Sequence, residues 1–167
     1  MTEPEAKRPS KIPGANPKGS ALPGVLIRPV KPADISGVIA IDTEATGIEK
    51  VEYWHELFGH YGSKRHQRFF LVAEVGGAIY GFIIGEVRDW EFGAPSCGWI
   101  FGMGVSSTNR LHGIGSALLG ALFECFKRAG VEKVRTIAGR NNSLMLSFFR
   151  SQGMMAAPVI PLECDLP

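Results

Sequence analysis

The sequence predicts one α/β domain: a mixed, mostly antiparallel, twisted sheet of six to seven strands flanked by about four helices. Three stretches carry that reading. Two β-rich runs, Arg68–Val75 and Ala78–Arg88, are separated by Gly76-Gly77, the spacing and residue type of a tight hairpin turn. Ile114, Leu118, Leu122 and Phe126 recur every four residues, joined by Leu119 and Phe123, which is the stripe of a long amphipathic helix. Residues 98–105 form an apolar run that enters this helix through a glycine-rich turn.

At 167 residues and 45% apolar content, the chain is long enough to bury one core without disulfides and leaves no room for a second domain. The net charge of +2 resides in residues 1–24, where Lys7, Arg8, Lys11 and Lys18 outnumber Glu3 and Glu5. The remainder is formally neutral, which excludes a surface that coats nucleic acid. The longest apolar runs fall short of the roughly 18 residues that span a bilayer, and no apolar secretory segment follows Met1. Cys97, Cys125 and Cys164 are odd in number and lack the spacing of a metal or disulfide set, so they read as reduced thiols in a cytoplasmic protein. Cys125 falls among core residues, whereas Cys97 beside Gly98 is expected near the surface.

Residues 1–24 contain Pro4, Pro9, Pro13, Pro17 and Pro23 with no apolar period, and read as a disordered tail. The domain is expected over 25–167. Residues 25–30 form a short strand that Pro29 places at or near a sheet edge. A helix starts around Lys31-Pro32-Ala33-Asp34 and fades near Gly47, with Ile35, Val38, Ile39 and Ile41 on its apolar side. A second helix covers Val51–Tyr61. Residues 89–96 read as a loop, and Gly102 and Gly104 in the next strand point to a bulge or to the close approach of another backbone or a ligand. The long helix stops at Gly130. A strand over 131–138, a helix over 142–152 and one or two strands within 154–165 complete the order.

The turn from Val105 to Ser116 is suited to an anion. A glycine-rich turn opening into a helix leaves backbone N–H groups without acceptors, and the helix dipole adds partial positive charge. No Lys-Ser or Lys-Thr follows the glycines, so the turn is not a P-loop. Gly113-Ile114-Gly115 also lacks the third small residue of a dinucleotide fingerprint.

Two linked motifs define the turn further. Val105 is followed after four residues by Arg110-Leu111-His112-Gly113-Ile114-Gly115, which resembles the Gln/Arg-x-x-Gly-x-Gly/Ala loop of the GNAT superfamily of N-acetyltransferases. Asn142-Ser143-Leu144-Met145-Leu146-Ser147-Phe148-Phe149, closing with Gly153-Met154, is similar to the Asn-x-x-Ala-x-x-Phe-Tyr-x-x-x-Gly-Phe helix of the same family. The element order from residue 25 onward agrees with that fold.

The resemblance implies acetyl-CoA as co-substrate and a sheet splayed between its fourth and fifth strands. Its pyrophosphate would sit at Arg110, Leu111, His112, Gly113, Ile114, Gly115 and Ser116, with glycines admitting the ligand and backbone donors outweighing Arg110. Its pantetheine arm would lie beside Met103, Gly104 and Val105. The N–H groups of Gly104 and Val105 would stabilise charge on the thioester oxygen, and Asn142 and Phe149 would contact the cofactor.

The sequence departs from the family in its acid and its base. Phe149 stands where many members have a Tyr that protonates the leaving thiolate, and Phe has no proton to give. A thiol of pKa about 8.5 still leaves as a tolerable anion. Phe101 and Ile137 occupy positions where a basic Glu is common, which leaves Glu86, ahead of Glu74, as the nominated base. The acceptor is expected near Tyr53, Trp54, His55, His60, Tyr61 and His66, or near Asp89 and Glu91; none of these forms a metal set. The implied function is transfer of an acetyl group to a primary amine of a small molecule, peptide or protein, by a chain that binds neither nucleic acid nor membrane and is compatible with a homodimer. The alternative is a non-catalytic acyl-CoA-binding or regulatory domain.

Overall fold

Gly76 and Gly77, at φ 56° and 87°, reverse the chain between two antiparallel strands, and the rest of the sheet is built outward from that hairpin. The computed structural model describes residues 23–62, 67–107 and 113–167. In chain order the elements are β1 (Val25–Pro29), a 3₁₀ turn (Pro32–Asp34), α1 (Ile35–Thr46), α2 (Val51–Tyr61), β2 (Arg68–Val75) and β3 (Ala78–Arg88). A second 3₁₀ turn (Glu91–Gly93) precedes β4 (Cys97–Val105), α3 (Ile114–Arg128), β5 (Val134–Thr136) and α4 (Ser143–Ser151). The sheet runs β1-β2-β3-β4-β5, antiparallel except for the parallel β4–β5 pair. β1 is an edge strand, where the missing N–H of Pro29 is tolerated.

Each face of the sheet buries one helical layer. Leu71, Ala73, Ile83 and Ile100 pack beneath Ile114, Leu118, Leu122 and Phe126 of α3, with Phe149 of α4 in the same cluster. On the other face Phe70, Val72, Phe82 and Ile84 meet Val38 and Ile41 of α1 and Trp54 of α2. Trp54 buries its ring and donates Nε1–H to Asp42 Oδ2 at 2.8 Å, which ties α2 to α1. Asp34 is also buried. Arg28 donates two bonds to its carboxylate and a third to Glu74, and the guanidinium holds the Asp34 carboxyl below its ordinary range.

Four helices of the expected kind are present, but the described residues form five strands, not six to seven. The strand expected over 131–138 is cut to three residues from its start. Gly130, at φ 80°, ends α3, and Val131 donates its N–H to Phe126 O at 3.0 Å, so Val131 belongs to the helix stop. Residues 154–165 form no strand, because Pro158 and Pro161 remove two ladder donors within a short run. This segment instead walls a groove of about 690 Å³ with β5 and α4. The predicted tail lies outside the described residues up to residue 22.

β4 contains a bulge. Ile100 pairs with Gly85 and Gly102 with Ile84, leaving Phe101 as an extra residue with no partner on β3. Before it, Gly98 and Ile100 face α3; after it, Met103 faces α3 while Gly102 and Gly104 face the α1 layer. The β5 ladder ends at the same point. It pairs Gly98, Trp99 and Ile100 with Val134, Arg135 and Thr136, and Thr136 Oγ1 closes it by donating to Ile100 O at 2.9 Å.

Candidate cofactor site

Beyond Ile100, β4 runs on to Val105 with β3 on one side and no described strand on the other. Ser106 donates its N–H to Tyr80 O at 2.9 Å. Because ladder-bonded residues alternate along an antiparallel strand, Gly104 and Gly102 also turn their N–H groups toward β3, and Met103 and Val105 turn theirs to the open side. Of the two expected oxyanion donors, Val105 therefore addresses the gap and Gly104 does not. Gly104 is required by packing: a Cβ there would stand 2.7 Å from Phe82 Cε1 and 3.1 Å from Ile41 Cγ2. The expectation that a ligand demands this glycine is replaced by a neighbouring ring that does.

The start of α3 adjoins this part of β4: a Cβ on Gly115 would stand 3.2 Å from Met103 Cε. Gly113, at φ 109° and ψ −8°, precedes the helix without a side-chain cap, and its carbonyl accepts from Ala117 N–H at 2.9 Å. The N–H groups of Ile114, Gly115 and Ser116 consequently have no intrahelical acceptor, and the helix dipole favours an anion before them. The Ile114 side chain is buried in the core, so its contribution to a ligand is its backbone. Arg110, Leu111 and His112 lie outside the described residues, as does His66.

Asn142 caps α4: its Oδ1 accepts Met145 N–H at 3.0 Å. The exposed side chain retains two amide donors by its chemistry. Phe149 is 6% exposed, packs in the α3-side core and lines the groove beside β5.

Glu86 lies on the opposite face of the sheet, opposite Trp99 and next to the bulge. Both of its oxygens are engaged. Tyr61 donates its hydroxyl to Oε2 at 2.6 Å, and Arg88 donates Nε–H to Oε1 at 2.9 Å. Burial pushes the carboxyl up, but these two hydrogen bonds outweigh it and hold Glu86 below its ordinary range. Tyr61 is pushed up to about 12, first by burial and then by the neighbouring carboxylate. Neither group is tuned to the neutral range that suits proton abstraction from an amine. The Tyr61 ring also stands 5.1 Å from that of Phe101 and beneath the guanidinium of Arg68 at 5.2 Å.

The remaining expectations separate. Glu74 is held by Arg28 at the β1–β2 end. Trp54 is core, while Tyr53, His55 and His60 are exposed along α2, and Tyr61 alone of this group is bonded to a nominated base. Cys97, expected near the surface, is buried, and burial pushes its thiol pKa up, which makes it a poor nucleophile. In the loop before β4, Trp90 and Phe92 adopt left-handed backbone (φ 52° and 49°) with exposed rings, a conformation rare for aromatic residues. Among the described residues no cluster of three or more His, Cys, Asp or Glu could hold a metal ion, and no helix is long and apolar enough to cross a membrane.

A family model described as "Acetyltransferase (GNAT) family" matches residues 36–154, which includes the β4–α3 connection and α4. The chain belongs to the GNAT acetyltransferase family. No curated protein matches the sequence at a significant level. Among solved structures, an aminoglycoside N-acetyltransferase, AAC(6')-Iy in complex with CoA, superposes with a TM-score of 0.73 at 12% identity, covering 84% of this chain and 94% of its own. The aminoglycoside 6'-N-acetyltransferase AAC(6')-Ih of Acinetobacter baumannii gives 0.71 at 15% identity, covering 86% and 100%. A transcriptional regulator from Bacillus halodurans gives 0.71 at 20% identity, covering 85% and 99%. Such identities establish a shared GNAT fold and leave this member's substrate to its own residues.

One contributor, Glu44, is not marked by any of the sequence motifs. Ser106 and Ser107 are bonded to Glu44, a residue from α1. The one signal in the sequence is the placement of Glu44, an acid in the last turn of a helix, where the dipole favours a base.

Proposed function

We propose that this GNAT chain transfers an acetyl group from acetyl-CoA to a primary amine of a small molecule, peptide or protein. The observation that carries the reading is the continuity of open donors, from the N–H groups of Met103 and Val105 beyond the β4 bulge to the uncapped first turn of α3. Extended polar groups fit the first set and a pyrophosphate fits the second. Acetyl-CoA supplies an acetyl group already activated as a thioester.

In this reading Met103 and Val105 hold the extended arm along β4, and Val105 N–H is the donor available to a developing oxyanion. Gly113, Ile114, Gly115 and Ser116 hold the pyrophosphate through their backbone, completed by Arg110, Leu111 and His112. Asn142 offers its amide donors, and Phe149 supplies an apolar wall. Glu86, held at both oxygens, fixes the acceptor side of the bulge through Tyr61 and Arg88; water carries the amine proton away. The strained Trp90 and Phe92 loop supports an acceptor-contacting role for that segment.

Calorimetric titration with acetyl-CoA, followed by thiol release over a panel of primary amines, tests the proposal. Saturable binding and turnover with one of the amines are expected, and absence of acetyl-CoA binding overturns the reading. The panel includes aminoglycosides, because two of the similar structures are enzymes of that class. A second reading, a non-catalytic acyl-CoA-binding domain, is favoured by the phenyl ring at Phe149 and by the fully engaged Glu86. Binding without turnover on any amine would select it.

A further inference from the structure

Glu44 occupies the last turn of α1, where its carboxylate meets the negative end of the helix dipole and no basic residue shares that turn. The side chain reaches a segment 62 residues away. Oε2 accepts the Ser106 hydroxyl at 3.2 Å, and Oε1 accepts the Ser107 N–H at 3.1 Å together with the Ser107 hydroxyl. Ser106 is buried and its N–H is held by Tyr80 O. The first two residues past β4 are thus fixed from two directions, by β3 through Tyr80 and by α1 through Glu44.

We infer that Glu44 is a positioning residue for the anion turn, fixing where the chain leaves β4 so that Val105 N–H and the first turn of α3 address one ligand. The inference rests on the reading of that turn as the acetyl-CoA seat. A carboxylate can accept all three donors at once, and charge strengthens each bond. A Gln keeps one acceptor oxygen in the same place, and an Ala keeps none. The order of effect is therefore wild type, Glu44→Gln, Glu44→Ala.

Amide hydrogen exchange of residues 105–107 in the ligand-free protein, calorimetric affinity for acetyl-CoA and the KM-against-kcat split test this order. Glu44→Ala should raise the exchange rate at Ser107 and weaken acetyl-CoA binding by about tenfold, a change of one decade in Kd. The KM for acetyl-CoA should rise and kcat should fall with it, because the Val105 N–H offered to the developing oxyanion is set by the same anchor, and Glu44→Gln should recover part of each loss. Wild-type exchange and affinity in folded Glu44→Ala would overturn the inference. Tighter binding in Glu44→Ala would overturn it too, because Glu44 would then be a competitor for Ser107 N–H. If Glu44→Ala fails to fold, the Gln variant carries the same comparison. If the wild type binds no acetyl-CoA, the reading of the seat fails, while the exchange data still decide whether Glu44 anchors Ser107.

Discussion

Tyr61 donates its hydroxyl to Glu86 Oε2 at 2.6 Å and thereby fastens the last turn of α2 to β3 beside the β4 bulge. A hydrogen bond to a charged group contributes about 1.5–3 kcal/mol, and partial exposure of this pair reduces the expectation to about 1 kcal/mol. Tyr61→Phe should lower stability by that amount at neutral pH in urea titrations. The folded-state pKa of Glu86 lies below its ordinary 4.5, so its stabilisation is complete above that value and fades as pH falls through the folded one. The difference between wild type and Tyr61→Phe should accordingly shrink below about pH 4.5. A difference that persists unchanged at acidic pH would dissociate the phenol from the carboxylate.

Gly115→Arg should remove acetyl-CoA binding while leaving the fold intact. A Cβ at 115 would stand 3.2 Å from Met103 Cε and from Phe148 Cε2, both outer atoms of side chains that can shift by a few tenths of an ångström. The remainder of the arginine then fills the space before the first turn of α3. Calorimetry with acetyl-CoA and thermal melting of the same sample check both halves of the expectation. Binding at wild-type affinity would contradict the assignment of the helix terminus.

Phe149→Ala should destabilise the protein by about 3–5 kcal/mol, the usual loss for truncating a buried Phe. Phe149 is 6% exposed and belongs to the core beneath α3. Denaturant unfolding measures the loss. A small loss would mean that the ring serves the groove beside β5 more than the core.

The elements whose cause is local were legible in the sequence. The four-residue period of Ile114 to Phe126, the Gly76-Gly77 turn and the helix that opens at Asn142 are each specified within one stretch of chain, and the structure contains all three. Features with distant causes were not. Gly104 is small because of Phe82 on the neighbouring strand, Glu86 is occupied because Tyr61 is 25 residues away, and Ser107 is anchored by a helix 63 residues earlier. The last strands were overestimated for a different reason: apolar character alone promised a ladder at residues 154–165 that Pro158 and Pro161 do not allow. In the candidate site, the turn and the Asn142 helix were visible as motifs. The direction of each N–H on β4 was not, since it depends on where Phe101 breaks the alternation.

That extra residue makes position 101 a determinant of strand shape more than of side-chain identity. Phe101 is 41% exposed, so other side chains fit the space it occupies. Deleting it would join Ile100 directly to Gly102, which already pair with the consecutive β3 residues Gly85 and Ile84, and would return β4 to a regular ladder. Gly98, Ile100 and Met103 would still face α3, Gly102 and Gly104 would still face the α1 layer, and Met103 and Val105 would keep their N–H groups on the open side; what would go is the local bend and added twist of the bulge. The protein can therefore vary what stands at residue 101 without disturbing either layer, while the bend of β4 where the β5 ladder ends depends on an extra residue being there.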